Sequence, residues 1–314
     1  MNLFDILEEI SVGYNSQNEA SEKLKNYTRL VKGVLSEPNA IIQGMTITFS
    51  DAYDDTISDK NFFFQGSYAT HTAIKFKGSE IDADMGVIVG NVDDYDVRQK
   101  IFNKLDNSFP NYQVIYKKPC ITIDFGDDYH MDITVYSLEN EEIFYHNAIP
   151  DSVEKVTISD PKGLVEFFNN NFHENDAKRK ILRLFKYFVK ITNEKLDIEK
   201  DNRLPSIALA IFIANSNIAK VTDEDDLYKE LCNVVKEFKE YVKNNNVGPS
   251  LEQFYVTDTF YKIKDKNDVL KVLEHISIQL NAKAYNEVVD KKIFDTIMKK
   301  KKIDSTPSLI GTMG

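Results

Sequence analysis

The sequence predicts an α+β fold, a sheet-containing lobe followed by a helical lobe, and three observations carry that prediction. Between residues 45 and 145 most apolar residues fall in short runs of strand length. Beyond Pro150 the apolar spacing is helical throughout, and no strand is expected there. The charge divides at the same place: residues 1–150 carry 24 Asp and Glu against 12 Lys and Arg, whereas the remainder carries 26 acids and 27 bases.

In chain order, Leu3, Ile6, Leu7 and Ile10 define a helix over 2–12, and Leu24, Tyr27, Val31 and Val34 define one over 18–36. Strands are expected at 45–49, 61–64, 82–89, 112–117, 120–125, 131–136 and 142–145, with a helix over 93–107 among them. Helices then follow at 161–172, 176–193, 205–216, 223–244, 266–282 and 286–300. The expected domains are 1–155, the sheet lobe with its N-terminal helices; 156–302, the helical lobe; and 303–314, a flexible tail containing Pro307, Gly311 and Gly314.

The composition excludes several classes. The chain of 314 residues, 42% hydrophobic and 28% charged, is long enough to build two cores without staples. Cys120 and Cys232 stand far apart with no ligand-spaced partner, so neither a disulfide framework nor a zinc ribbon is expected. The opening MNLFDILEEI is amphipathic and acidic, and no apolar run approaches membrane-spanning length, which points to the cytoplasm. An acidic lobe is a poor surface for nucleic acid and a good one for divalent cations. No Gly-x-Ser-x-Gly pattern appears, and His71, His130, His146, His173 and His275 lack ligand-spaced partners.

The stretch FFFQGSYATHTAIKFKGSEIDADMGVIV, residues 62–89, holds the chemistry. Asp82 and Asp84 are one residue apart in a strand and therefore share a face, where two carboxylates repel unless a cation sits between them. Asp94/Asp96 and Asp223/Asp225 have the same spacing in polar, helix-starting contexts suited to solvated or capping carboxylates. The first pair differs because Met85, Val87, Ile88 and Val89 bury the strand that it begins. Asp132 interrupts a second apolar run, HMDITVY. It reads either as a third carboxylate of one cluster or as a strand-end residue facing water. Gly66 and Ser67 follow the Phe62–Phe64 run as a turn into a helix start, where free N–H groups and a hydroxyl suit a phosphate.

QGSYATHTAIK, EIDADMGVIV and MDITVY, in that order, resemble the nucleotidyltransferase superfamily of poly(A) polymerase and oligoadenylate synthase. Within it the chain is similar to the bacterial cGAS/DncV-like, SMODS-type synthases of cyclic oligonucleotides in anti-phage (CBASS-type) defence. The resemblance implies a polymerase-beta-like nucleotidyltransferase sheet lobe plus a helical lobe, with the N-terminal helices bridging them. It implies NTP substrates and two Mg²⁺ ions, with Mn²⁺ as an alternative. Gly66 and Ser67 would hold the donor triphosphate, Asp82 and Asp84 both metals, and Asp132 the metal that activates the acceptor hydroxyl. In DAKRKILRLFKYFVKIT, Arg179, Arg183, Lys186 and Lys190 share one face; Arg179 and Lys190 are read as solvated, and Lys186 as a further triphosphate contact. Ser206, after Pro205 in a first helical turn, is its counterpart by the same resemblance. Ile207 stands where some relatives carry a stacking aromatic.

Two other readings share these residues: a nucleotidyltransferase that modifies RNA or protein, and a non-catalytic relative. The intact acids and Gly-Ser turn weigh against the second, and the missing basic track weighs against an RNA substrate. The animal sensors of double-stranded nucleic acid need a basic surface, so no nucleic-acid activator is expected, nor a membrane partner. The effector would be reached through the product alone. Some relatives are joined through their C-terminal residue by an enzyme resembling a fused ubiquitin-activating and ubiquitin-conjugating protein, which would make Gly314 a conjugation site.

Overall fold

A computed structural model of the chain describes residues 2–12, 19–36, 61–75, 81–89, 96–126, 129–147 and 155–282. The strand expected at 45–49, the helix expected at 286–300 and the tail from 303 with Gly314 lie outside these residues. In chain order the elements are α1 (Leu3–Ile10), β1 (Ser11–Val12), α2 (Glu19–Ser36), β2 (Phe62–Gln65), α3 (Gly66–Ala69), β3 (Ala73–Ile74), β4 (Ile81–Val89), α4 (Val97–Ser108), β5 (Gln113–Tyr116), β6 (Ile121–Asp124), β7 (Tyr129–Glu139), β8 (Glu142–Asn147), β9 (Lys155–Ile158), α5 (Pro161–Glu174), α6 (Asp176–Lys195), α7 (Ser206–Asn215), α8 (Glu224–Asn244) and α9 (Lys266–Asn281). The fold class is α+β. Among the described residues no helix is long and apolar enough to cross a membrane.

The chain forms two compact units. One contains Glu8–Arg183 and Ser250–Thr257; the other contains the described parts of Met1–Leu7, Leu184–Pro249 and Asp258–Gly314. The first is built on a mixed sheet ordered β2-β4-β7-β6-β5, with β8 and β9 continuing from β7. β4 and β7 run parallel, and the other neighbours are antiparallel. Alternation divides the sheet into two faces. Ala83, Met85, Val87 and Val89 of β4 and Met131, Ile133 and Val135 of β7 point into one core. Leu24, Val31 and Leu35 of α2 and Val97, Ile101 and Leu105 of α4 fill that core from the helical side. The intervening residues form the opposite face, polar at Asp82 and Asp84 of β4 and at His130, Asp132 and Thr134 of β7.

Two departures from expectation are informative. A strand does follow Pro150: β9 pairs antiparallel with β8, Phe144 opposite Ile158 and Asn147 opposite Lys155. Its side chains are mostly exposed, so the ladder to β8 holds it and its sequence shows no buried face. β7 also outruns its expected end at 136, because Ser137 is buried and bonded to the His146 ring nitrogen at 2.8 Å, a polar pair invisible to apolar periodicity.

The second unit is helical. Leu184, Phe185 and Phe188 of α6, Leu209 and Ile213 of α7, Leu231, Val235 and Phe238 of α8 and Leu273 and Ile276 of α9 are all essentially inaccessible. Lys239 and Glu274 close α8 on α9 with an ion pair at 2.7 Å. Asp223 accepts from the Asp226 N–H at 2.9 Å as the N-cap of α8, the capping role expected of that Asp-x-Asp. Pro205 is the N-cap of α7 and Ser206 its first helical residue; proline was expected inside the first turn, one position later.

Candidate active site

Register assembles the candidate residues on the polar face of the sheet. Asp84 of β4 lies opposite Asp132 of β7, and Asp82 opposite His130, so the Asp-x-Asp pair and the third aspartate occupy adjacent parallel strands. On the next strand Thr122 faces Asp132 and Asp124 faces His130. On the other side Gln65 of β2 faces Asp84. Gln65 is tied down by two hydrogen bonds: its Nε2 donates to Thr134 Oγ1 at 2.9 Å, and its Oε1 accepts from the Tyr136 hydroxyl at 2.8 Å. Burial first, then Tyr145, raises the Tyr136 hydroxyl well above the usual phenol range, so it stays a donor at neutral pH.

Gly66 opens α3 directly after Gln65, with φ +64°. A Cβ there would stand 2.1 Å from Asp84 Oδ2, so the turn passes against the carboxylate with no room for a side chain. The turn is braced from behind by the Thr72 N–H, which donates to the Ser67 carbonyl at 2.8 Å, and by the Thr70 hydroxyl on the Gly66 carbonyl at 3.1 Å. Gln65 does not cap α3, because its side chain is committed to Thr134 and Tyr136.

Each outer aspartate has protein partners. Asp132 Oδ1 accepts from the Thr122 hydroxyl and lies 3.9 Å from Lys117 Nζ. Asp82 Oδ1 lies 3.7 Å from His130 Nδ1, while His130 Nε2 lies 3.3 Å from Asp124 Oδ1. Buried Arg98 donates to the carbonyls of Lys117 and Lys118 at 2.6 and 3.0 Å, fixing the β5–β6 loop beside Asp132. Asp84, Asp132, Thr134, Tyr136 and Tyr145 line a cavity of ≈ 320 Å³ on this face. Cys120, in the same wall, is pushed up to about 12 by burial and by Asp132, so it is a neutral thiol and no nucleophile.

The donor set suits a hard divalent cation, being carboxylate oxygen on adjacent strands about 4.8 Å apart. Among the described residues no three acidic, His or Cys side chains stand close enough together to hold a metal ion. Asp132 instead accepts from Thr122, and Asp82 lies beside His130. Asp82, Asp84 and Asp132 are the residues that could hold a cation on this face.

The other expected site residues lie in helices. Lys186 of α6 is buried, at 8% exposure, whereas Ser206 at the start of α7 is exposed. Arg179 is not the solvated residue expected. Its side chain is 19% exposed, and with Arg183 it stands close enough to His71 to add to the burial that lowers the His71 pKa. Burial and Arg179 also lower Arg183, to about 10.

The model of the family described as "Cyclic GMP-AMP synthase DncV-like, nucleotidyltransferase domain" matches residues 60–136, from two residues before β2 to within β7. Residues 60–136 thus resemble a DncV-like nucleotidyltransferase domain. A cyclic GMP-AMP synthase of Escherichia albertii is 24% identical over 223 residues, 67% of this chain; the match spans about half of that relative, 48% of its length. Among solved structures, Vibrio cholerae DncV cyclic AMP-GMP synthase with the linear intermediate 5′ pppA(3′,5′)pG superposes with a TM-score of 0.65 at 18% identity, covering 91% of each chain. The Bradyrhizobium diazoefficiens CD-NTase CdnG with GTP gives 0.63 at 13% identity, covering 97% of this chain and 98% of its own. The likeness to these structures shows the α+β nucleotidyltransferase fold, and the region matched by the family model holds Gly66, Ser67, Asp82, Asp84 and Asp132.

Thr122, Lys117, Asp124 and His130 stand beside the acids with no sequence motif to mark them. Their signal was present only as alternation: Thr122 and Asp124 are the polar positions of ITID, on the face opposite Ile121 and Ile123. Which carboxylate each would meet depends on register across strands, and spacing in one strand does not give it.

Proposed function

We propose that this chain is a metal-dependent nucleotidyltransferase that joins NTPs into a cyclic di- or trinucleotide second messenger, acting in the bacterial cytoplasm in anti-phage defence. The observation that supports the reading is the register of Asp84 against Asp132 with Gly66 packed on Asp84, which brings the Gly66–Ser67 turn close to these acids.

The reaction is attack of an acceptor hydroxyl oxygen on the donor α-phosphorus, forming one P–O bond and releasing pyrophosphate. Two divalent ions, Mg²⁺ or Mn²⁺, would supply Lewis-acid stabilisation of the developing charge. Asp82 and Asp84 would hold both, and Asp132 the one on the acceptor side. Gly66 allows the backbone to approach the donor phosphates, and Ser67 adds its hydroxyl. Lys186 and Ser206 are proposed triphosphate contacts on the resemblance. The V. cholerae relative binds a linear pppApG intermediate. Such a molecule keeps a triphosphate at one end and a hydroxyl at the other, so a second round of the same chemistry closes the ring.

The test is incubation with all four NTPs and Mg²⁺ or Mn²⁺, phosphatase treatment, and mass spectrometry of the resistant product. A ring survives because it has no terminal phosphate; a linear product or labelled RNA or protein would replace this reading. Lys186→Ala is expected to weaken donor binding about tenfold with little change in kcat, since it removes one positive charge from the triphosphate and leaves the acids in place. An unchanged NTP titration returns Lys186 to a structural role. Activation by nucleic acid is not part of the proposal, given the acidic N-terminal half.

The conjugation role of Gly314 is also proposed from resemblance. Deleting Gly314 should abolish the covalent adduct in cells carrying the native neighbouring genes while leaving NTP turnover in vitro unchanged. Intact-mass analysis of protein from those cells checks this, and an adduct that persists after the deletion counts against it.

A further inference from the structure

We propose that Thr122 is a positioning residue that fixes the Asp132 carboxylate in its metal-binding orientation; the inference rests on the metal role given above to Asp132. Thr122 sits on β6 directly opposite Asp132 on β7 and is 1% exposed, although it belongs to the polar face of the sheet. A hydroxyl buried to that degree needs a partner, and it donates its proton to Asp132 Oδ1. Cys120 Sγ, 3.8 Å from Thr122 Oγ1, closes the other side of the hydroxyl. Lys117 Nζ approaches the same carboxylate oxygen at 3.9 Å from the loop that Arg98 holds. Both approaches are to Oδ1, and Asp132 lines the cavity together with Asp84. Without the Thr122 hydroxyl the carboxylate loses the hydrogen bond that restrains its side-chain torsions. Outer partners of metal ligands are typically worth about 10- to 100-fold in affinity or activity.

The experiment compares Thr122→Val, which keeps the shape and removes the hydroxyl, with Thr122→Ser, which keeps the hydroxyl. Mn²⁺ binding is read by electron paramagnetic resonance in the presence of a non-hydrolysable ATP analogue, alongside kcat, KM and the melting temperature. Thr122→Val is expected to lower Mn²⁺ affinity and kcat about tenfold each with KM nearly unchanged, and Thr122→Ser to stay within about threefold of the parent. Asp132→Asn is the control. If it lowers Mn²⁺ affinity and Thr122→Val does not, the positioning role is overturned while the metal role stands. If Asp132→Asn leaves Mn²⁺ binding and turnover unchanged, the metal reading of Asp132 fails and this inference falls with it. Should Thr122→Val not fold, Thr122→Ala against Thr122→Ser makes the same comparison, and equal Mn²⁺ affinity in those two overturns the proposal.

Discussion

Asp82→Asn or Asp84→Asn is expected to reduce nucleotide transfer by about a thousandfold or more while leaving the fold intact. Each change keeps the side-chain shape and removes one negative charge from the place where divalent ions would be held. Stabilisation of transition-state charge by a bound ion is worth several kcal/mol, and a thousandfold is about 4 kcal/mol. The fold should tolerate the change because Asp82 is 59% exposed and neither residue belongs to the apolar core on the opposite face. Removing one of several like charges should leave the melting temperature equal or slightly raised. Turnover and thermal melting measured on the same preparations separate loss of chemistry from loss of structure. Asp223→Asn, at the helix cap with the same Asp-x-Asp spacing, is the matched control and should retain wild-type turnover. Wild-type turnover by the Asp82→Asn, Asp84→Asn double variant would end the metal reading of this pair.

The contrast between Asp82 and Asp223 shows how far sequence carried the argument. Both begin an Asp-x-Asp, and the following residues already separate them: Ala83, Met85, Val87 and Val89 alternate into one core, whereas the residues after Asp223 bury at helical spacing through Leu227, Leu231 and Val234. β4 was therefore legible with the faces it presents, and β6 and β7 were legible as strands. β9 was not, because only its ladder to β8 holds it, and the buried Ser137 pair concealed the true end of β7. The site was legible as residue types and illegible as contacts. Asp132 could be suspected of joining Asp82 and Asp84, but the pairing of Asp84 with Asp132, and not of Asp82, is a property of register. Thr122, Lys117 and His130 meet the acids only once β6, β7 and the β5–β6 loop are assembled.

Gly66→Ala is the second change with a large expected effect, a loss of about a hundredfold in turnover, and it acts without touching any charge. Two independent facts converge on this residue. Its φ of +64° is a left-handed conformation that costs a side-chain-bearing residue about 1 kcal/mol, and its missing Cβ leaves the space that Asp84 Oδ2 occupies. An alanine methyl at 2.1 Å from that oxygen cannot coexist with it, so either the carboxylate rotates away or the turn lifts off β4. Rotation would move the Asp84 carboxylate relative to Asp132, and lifting would move the Ser67 hydroxyl and the backbone N–H groups away from the position proposed for the donor phosphates. Misplacement of about 1 Å in a reacting constellation costs on the order of a hundredfold. The global fold should lose only a few degrees of melting temperature, because Gly66 is exposed and the core beneath β4 is untouched. Steady-state kinetics distinguish the two routes: a fall in kcat at constant KM for NTP indicates displacement of Asp84, and a rise in KM indicates displacement of the phosphate turn. Ser67→Ala removes a single hydroxyl at the same turn and should cost less than Gly66→Ala. A Gly66→Ala protein with wild-type kcat and KM would show that the approach of this turn to Asp84 has no part in the chemistry.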